Sequence, residues 1–467
     1  MRFSQGKLRL AWLLFVVTAV MLAGKPLDVA AEEDVMRFPQ PEFTSGYDFP
    51  ETTVAPQTSE TQQWIDVFLL TLALSVASWF AVKKRSRRGV FWLSVICLGY
   101  FGFVKQGCVC PIGAIQNVAL GIFDSNYAIP MTVMLFFIIP LAFALFFGRV
   151  FCASVCALGA IQDLVILKPI NLPRKLTLGL SMIPYLYLGA GVLFAATNTG
   201  FIICRYDPFI GFFRLNGNAP YLYLGAGFLL AGIFIARPYC RFLCPYGVLL
   251  GFMSRFSRWH LSITPSECVD CRLCETSCPF DYIDKPNTGL DRENREVGVR
   301  RLSLLFVMLP VLIILGGWIG GRLSIPMSSY NRTVYLAEQV LAEKANPELE
   351  KTLETETFDE MGLPEDEMLE EALLIRKRMY TGGWLLGAFL GLVFGVKLIG
   401  ISTIRSQKDY EVIKPSCFSC ARCCGYCPSD DMYKENFVPG TEAYNSALAL
   451  ANPEPEPEKT AKKTTAA

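Results

Sequence analysis

The residues best suited to chemistry are cysteines in two matched runs. Cys268, Cys271, Cys274 and Cys278 precede Pro279, and Cys417, Cys420, Cys423 and Cys427 precede Pro428. Both runs read C-x-x-C-x-x-C-x-x-x-C-P. With that spacing one short loop offers three thiolates to a [4Fe-4S] cubane, while the fourth, set apart and followed by Pro, reaches a neighbouring cubane. A zinc site is the alternative for four cysteines, but it more often draws on two C-x-x-C pairs held well apart. If the two runs share one module, Cys427 completes the set of Cys268, Cys271 and Cys274. Cys278 then completes that of Cys417, Cys420 and Cys423. The adjacent Cys424 reads as a small packed side chain, as does Cys97 within an apolar run.

A second group of cysteines lies in a repeat. The octapeptide PYLYLGAG occurs at 184–191 and again at 220–227, and the same offset aligns Cys204 with Cys240 and Gly211 with Gly247. Upstream, FGFVKQGCVCPIGAIQN (101–117) matches FGRVFCASVCALGAIQD (147–163), aligning Cys110 with Cys156. Four successive units therefore each pair a span with an elbow, and alternating spans send the elbows to alternate faces, an inverted duplication. Outer elbows hold Cys108, Cys110 and Cys204; inner elbows hold Cys152, Cys156, Cys240 and Cys244. Pro111 and Pro245 suit a first helical position, so Cys110 and Cys244 are expected at helix N-termini, where backbone N–H groups favour a metal-bound thiolate. The segments after the elbows (112–123, 158–167, 246–256) are too short to span and read as half-helices. The inner four cysteines point to a metal or redox site. The outer three are either part of a further metal or redox centre or, in an oxidising compartment, a disulfide of Cys108 or Cys110 with Cys204.

The elements that must position these residues are membrane helices. The chain has 467 residues, of which 52% are hydrophobic and only 18% charged, in long apolar runs that exclude a soluble multidomain protein. Spans are expected near 64–82, 89–104, 127–147, 176–197, 219–236, 301–321 and 382–400. The fold class is thus an all-α integral membrane protein of about seven or eight transmembrane helices with inverted helix–elbow repeats, plus a cytoplasmic ferredoxin-like 2[4Fe-4S] module. Residues 1–31 are a signal peptide or a first transmembrane helix; 32–63 an exported flexible linker; 64–259 the transmembrane core. Residues 260–300 and 401–450 carry the two ferredoxin-type segments, 322–381 form an exported acidic helical loop, and 451–467 a disordered tail. Lys83, Lys84, Arg85, Arg87 and Arg88 place the end of the first of these spans in the cytoplasm by the positive-inside rule. Counting from there puts both ferredoxin runs and the C-terminus inside a bacterial cytoplasmic membrane. Arg376, Lys377 and Arg378 dissent from that count, but in a long acidic loop of the kind that obeys the rule poorly. Gly383, Gly387, Gly391 and Gly395, facing Gly316, Gly317, Gly320 and Gly321, mark the last two spans as a close-packed pair.

Several functions are excluded. A net charge of +1 with no basic domain argues against a nucleic-acid partner. A single histidine, His260, cannot hold axial haems, and no C-x-x-C-H is present; next to Trp259, His260 reads as an interfacial anchor. What remains is single-electron chemistry on two [4Fe-4S] clusters, with further iron–sulfur or metal centres at the inner and outer elbows. The doubled ferredoxin run, the inner C-x-x-x-C pairs and the multi-span body resemble the NosR/NapH-type polytopic membrane iron–sulfur proteins, over about residues 64–430. The resemblance implies electron transfer across the membrane, from a cytoplasmic donor or quinol, to an exported flavoprotein or reductase. It carries over the eight ferredoxin-run cysteines with Cys152, Cys156, Cys240 and Cys244 as functional. The chain has neither room for the exported flavin domain of NosR-like members nor their S-G-A-T motif, so flavin would reside on a partner. Its first inner pair is followed by Ala157 where the second has Pro245. Two other classes use the same residues: a vectorial thiol–disulfide carrier, and a redox sensor or metal-centre assembly factor for a periplasmic reductase. On the first reading the chain is an electron-transfer subunit of an oxidoreductase system rather than a stand-alone catalyst.

Overall fold

The computed structural model describes residues 59–107, 110–125, 127–170, 172–214, 219–263, 271–287, 294–346, 351–403, 407 and 409–427. The expectations for 1–31, for most of 32–63 and for 451–467 lie outside these residues, as do Cys108 and Cys268.

Helix α1 (Glu60–Ser78) starts where the Ser59 hydroxyl accepts from the Gln62 N–H, and continues as a π-helical turn, Trp79–Lys83. Helix α2 (Arg87–Cys97) likewise runs into π-helix, Leu98–Val104. The first elbow leads to α3 (Pro111–Phe123), then α4 (Met131–Phe147). The second elbow is a π-helical turn, Phe151–Val155, followed by α5 (Ala157–Leu164). Helices α6 (Arg174–Leu180) and α7 (Ile183–Ala196) lead to the third elbow, built of α8 (Ile202–Arg205) and α9 (Ile210–Arg214). Helix α10 (Ala219–Phe234) leads to the fourth, built of α11 (Pro238–Phe242) and α12 (Pro245–Arg255). Then come α13 (Leu273–Ser277), β1 (Ile283–Asp284), α14 (Arg295–Ser328), α15 (Arg332–Ala345), α16 (Leu353–Met361), α17 (Glu365–Ser402), β2 (Glu411–Val412) and a 3₁₀ turn at Cys423–Tyr426.

Among the described residues, five helical stretches are long and apolar enough to cross a membrane: Glu60–Lys83, Arg87–Val104, Leu176–Ala196, Arg295–Ser328 and Glu365–Ser402. Helices also stand where spans were expected at 127–147 and 219–236, but with 17 and 16 residues they fall short of the ~20 that a straight crossing takes. The last two spans differ most from expectation. The expected span at 301–321 is the middle of a helix of 34 residues, and that at 382–400 the C-terminal half of one of 38, because nothing in the flanking sequence stops them: the acidic stretch from Glu365 continues without a break into the apolar one. Their seam is backbone on backbone. A Cβ at Gly320 would strike the Gly383 carbonyl, and one at Gly387 the Gly316 carbonyl, so these positions admit no side chain. Leu304, Phe306, Val307, Ile314 and Trp318 of α14 face outward, as side chains solvated by lipid do. Beyond the apolar stretch, α15, α16 and the start of α17 share a small core of Val334, Val340, Phe358, Met368 and Ile375.

The two ferredoxin segments, far apart in sequence, meet. β1 and β2 pair antiparallel with Ile283 opposite Val412 and Asp284 opposite Glu411, and Leu261, Ile263, Cys274, Tyr410, Cys423 and Cys424 pack around them.

Candidate iron–sulfur centres

Cys278, Cys417, Cys420 and Cys423 line a single cavity, together with Leu261, Phe280, Phe418 and Arg422. The loop that carries the last three bends inward through left-handed backbone at Ser419 (φ +55°) and Ala421 (φ +56°), an arrangement that turns successive N–H groups toward an enclosed anion. One of them, Ser419 N–H, donates to Cys417 Sγ at 3.4 Å. Cys424, the spare, is buried in the neighbouring apolar cluster. Of the other set, Cys271, Cys274 and Cys427 are described and Cys268 is not.

Cys152, Cys156, Cys240 and Cys244 line a second cavity, together with Arg149, Tyr239, Tyr246 and Ile112. The second and fourth elbows thus bring all four of their cysteines together. Cys156 and Cys244 are helix caps, of α5 and α12, and the Gly247 N–H faces the Cys244 sulfur. Ala157 in place of Pro does not prevent α5 from starting there. Gln162, fully buried, donates to Cys240 Sγ (3.3 Å) and accepts from the Tyr239 N–H (3.1 Å).

Sequence reasoning missed two residues here. Each elbow reads R-x-x-C-x-x-x-C-x-x-G: Arg149 before Cys152, Cys156 and Gly159, and Arg237 before Cys240, Cys244 and Gly247. Aligning the two inner elbows on their cysteines would have found both arginines. Each crosses to the opposite elbow. Arg237, with no exposed surface and left-handed backbone (φ +49°), donates to the carbonyls of Cys152 (2.5 Å) and Ala153 (3.4 Å). The Arg149 Nη2 lies 3.8 Å from Cys152 Sγ and 2.9 Å from where a Cβ on Gly247 would stand. A side chain at that glycine would push the guanidinium aside.

The arginines also join the two cavities. Arg149 and Arg237 lie 4.7 and 5.3 Å from the ring of Phe418, which follows Cys417, and Arg237 lies 5.8 Å from that of Phe280, two residues after Cys278. Arg149 also donates to the Pro415 carbonyl (3.4 Å), and Ser254 to that of Lys414 (2.8 Å). Behind them, Asp163 is shared by Arg87, Arg237 (3.3 Å) and Arg422 (3.1 Å). Burial alone would raise the Asp163 carboxyl, but these three cations hold it at about 2. His260 belongs to this joint rather than to a lipid interface: Gly148, in left-handed backbone, packs against both its ring and the Ser419 hydroxyl. Trp259 stacks on Phe146 and Phe147.

Among the described residues no three His, Cys, Asp or Glu side chains stand close enough to share one ion. The thiols instead rim cavities, with N–H groups and guanidinium charges turned toward them, and this donor set fits a multinuclear iron–sulfur group that takes one thiolate at each corner. Cys110 and Cys204, the described outer cysteines, are brought together around α3 and α8 without a disulfide between them. Ile112, two residues after Cys110, reaches the wall of the second cavity.

The family described as 4Fe-4S binding domain matches residues 129–176 and 219–264, the two stretches that carry Cys152 with Cys156 and Cys240 with Cys244. YccM of Escherichia coli (strain K12), named for electron transport, is 27% identical over 190 residues, 36% of this chain and 52% of that protein. Protein NirI of Paracoccus denitrificans (strain Pd 1222) is 29% identical over 43% of this chain and 31% of its own length. The methylamine utilization ferredoxin-type protein MauN of the same organism is 29% identical over 32% of this chain and 54% of its own length. The chain therefore spans about half, or less, of these relatives. No solved structure matches it. With its apolar helices, its paired cysteine runs and these relatives, the chain is a polyferredoxin-like 4Fe-4S membrane protein.

Proposed function

We propose that this protein relays single electrons across a bacterial cytoplasmic membrane, from a cytoplasmic donor or quinol to an exported flavoprotein or reductase. One observation carries the reading: the cavity of Cys278, Cys417, Cys420 and Cys423 abuts that of Cys152, Cys156, Cys240 and Cys244 through Phe280, Phe418, Arg149 and Arg237. Iron–sulfur clusters, when bound there, accept and release one electron each. The chain's own residues do the rest. The eight cysteines in the two cavities, with Cys268, Cys271, Cys274 and Cys427 for the second ferredoxin cluster, fix where charge can reside. The arginines offset the negative charge of thiolate-bound iron and hold the ferredoxin loop against the elbows. The aromatic rings and buried helices exclude water from the joint. The electron-transport and ferredoxin-type names of the relatives support the same reading.

The topology that goes with it has seven crossings after residue 59, counting Met131–Phe147 and Ala219–Phe234 with the five longer stretches, and puts the ferredoxin runs in the cytoplasm. With the interior negative, outward electron flow is favoured by roughly 2.3 kcal/mol per 100 mV. The test is time-resolved reduction of an acceptor sealed inside proteoliposomes by a donor outside, with the ferredoxin end facing the donor. Reduction is expected in wild type and lost in Cys240→Ala; equal rates in the two would reject the relay.

A further inference from the structure

Aligned on their cysteines, the second and fourth elbows differ at two positions that face the cavity between them. Phe151 stands before Cys152 where Tyr239 stands before Cys240, and Leu158 follows Cys156 by two residues as Tyr246 follows Cys244. All four side chains line the cavity. The fourth elbow therefore adds two hydroxyls to a wall made otherwise of hydrocarbon, cysteine sulfur and the Arg149 guanidinium. One of them is paired, since the Tyr246 O–H donates to the Phe137 carbonyl at 2.7 Å. The other is not. Tyr239 is 1% exposed, and its hydroxyl has no hydrogen-bond partner among the described residues.

The main chain pins this residue in place. Its N–H donates to Gln162 Oε1 (3.1 Å), and its carbonyl accepts from the Cys244 N–H (2.9 Å). Phe209 and Phe228 stand edge-on to its ring at 5.5 and 5.9 Å, so neighbours on that side offer hydrocarbon. A buried hydroxyl without an acceptor is costly and uncommon, and calls for a partner. The cavity wall narrows the choice. Arg149 can only donate, the Tyr246 hydroxyl lies on a carbonyl, and the remaining atoms able to accept are sulfurs. None of the four cysteine sulfurs is itself bonded to the Tyr239 hydroxyl, which leaves a sulfur of the group that these cysteines hold.

We propose that the Tyr239 hydroxyl donates a hydrogen bond to a sulfide of the iron–sulfur group bound by Cys152, Cys156, Cys240 and Cys244. The proposal deepens the relay reading, on which it rests, by naming the residue that sets the potential of one station against the next. A hydrogen bond to sulfur draws off charge and favours the form carrying the extra electron. Arg149 and Arg237 flank Phe418 and so act on both cavities. The neutral phenol acts on the one cavity it lines, and raises that station alone.

The test uses the full chain purified anaerobically and reconstituted with ferrous iron and sulfide in D2O. The EPR signal that Cys240→Ala removes identifies the elbow centre. In Tyr239→Phe, with full iron, the ratio of reduced to oxidised centre at a fixed potential is expected to fall about fivefold to tenfold, or ~40–60 mV at about 59 mV per tenfold. Deuterium ENDOR on the same signal is expected to lose one exchangeable coupling, which a packing role would not remove, while the other EPR signals keep their potentials. A change of less than about twofold with every coupling retained overturns the proposal. If Tyr239→Phe does not hold iron, 3-fluorotyrosine at position 239 decides: this stronger donor of nearly the same shape is expected to raise the ratio and alter that coupling, and no change in either overturns the proposal. A wild type with no signal sensitive to Cys240→Ala overturns the relay reading and this proposal together, whereas a signal indifferent to Tyr239 overturns this proposal alone.

Discussion

Arg149 is the charge whose removal tests the joint most directly. It is 6% exposed, its Nη2 lies 3.8 Å from Cys152 Sγ, and its guanidinium lies 4.7 Å from the Phe418 ring. A cluster held by the elbow cysteines would have its centre about 6 Å from that charge, where Coulomb's law with an effective dielectric of about 20 gives about 3 kcal/mol. Relaxation of the neighbouring Arg237 lowers the effect to ~1–3 kcal/mol, or ~40–130 mV for a one-electron couple, given about 59 mV per tenfold. A positive charge favours the form carrying the extra electron, so Arg149→Gln lowers the midpoint potential. Arg149→Lys keeps the charge and is expected to shift it by less than half as much. The assay is an anaerobic redox titration of the full chain followed by EPR, with iron counted in each variant. A Gln variant with full iron whose potential stays within about 20 mV of wild type would refute the electrostatic role. Equal shifts in Gln and Lys would assign the arginine to packing alone.

Cys278→Ala is expected to remove the same EPR signal as Cys417→Ala, since both cysteines line one cavity, whereas Cys424→Ser keeps full iron; a Cys278→Ala protein that retains that signal would break the crossover assignment. Gly387→Leu places a side chain against the Gly316 carbonyl and should destabilise the chain by about 1–3 kcal/mol or more, read as a lower unfolding temperature in detergent, while Gly400→Leu, where nothing lies within reach, should not. Asp163 adds a pH dependence. Its folded value of about 2 lies below the ordinary 3.8, so its stabilising contribution, about 2 kcal/mol, is complete above pH ~4 and is lost as pH falls toward 2. Asp163→Asn should be less stable at neutral pH and show a flatter loss between pH ~4 and ~2; an unchanged acid profile would contradict this.

The cysteine runs and the inverted repeat were legible because metal ligands tolerate little change of spacing and duplication leaves identical words such as PYLYLGAG. The glycine seam of the last two spans was readable for a similar reason: a four-residue period of Gly has few uses other than close approach of helices. The repeated positions of Arg149 and Arg237 were legible, but their role was not. Beside an apolar span an arginine reads as a membrane-edge anchor, and only the fold shows both turned inward across the pseudo-symmetric elbows. The lengths of α14 and α17 escaped as well, since hydropathy marks where lipid ends and not where a helix does.

Helix α17 is a single rod of 38 residues, about 57 Å at the usual rise, nearly twice the thickness of the hydrocarbon core. It contains no proline, and at Met368 and Ile375 it shares the core of the cap that α15 and α16 form with it, while ending nine residues before the strand that pairs with β1. Cap and last membrane span are therefore parts of one strut. A protein that seats on the cap and tilts it must swing the far end of the same strut, so occupancy at one surface of the membrane has a mechanical route to the other.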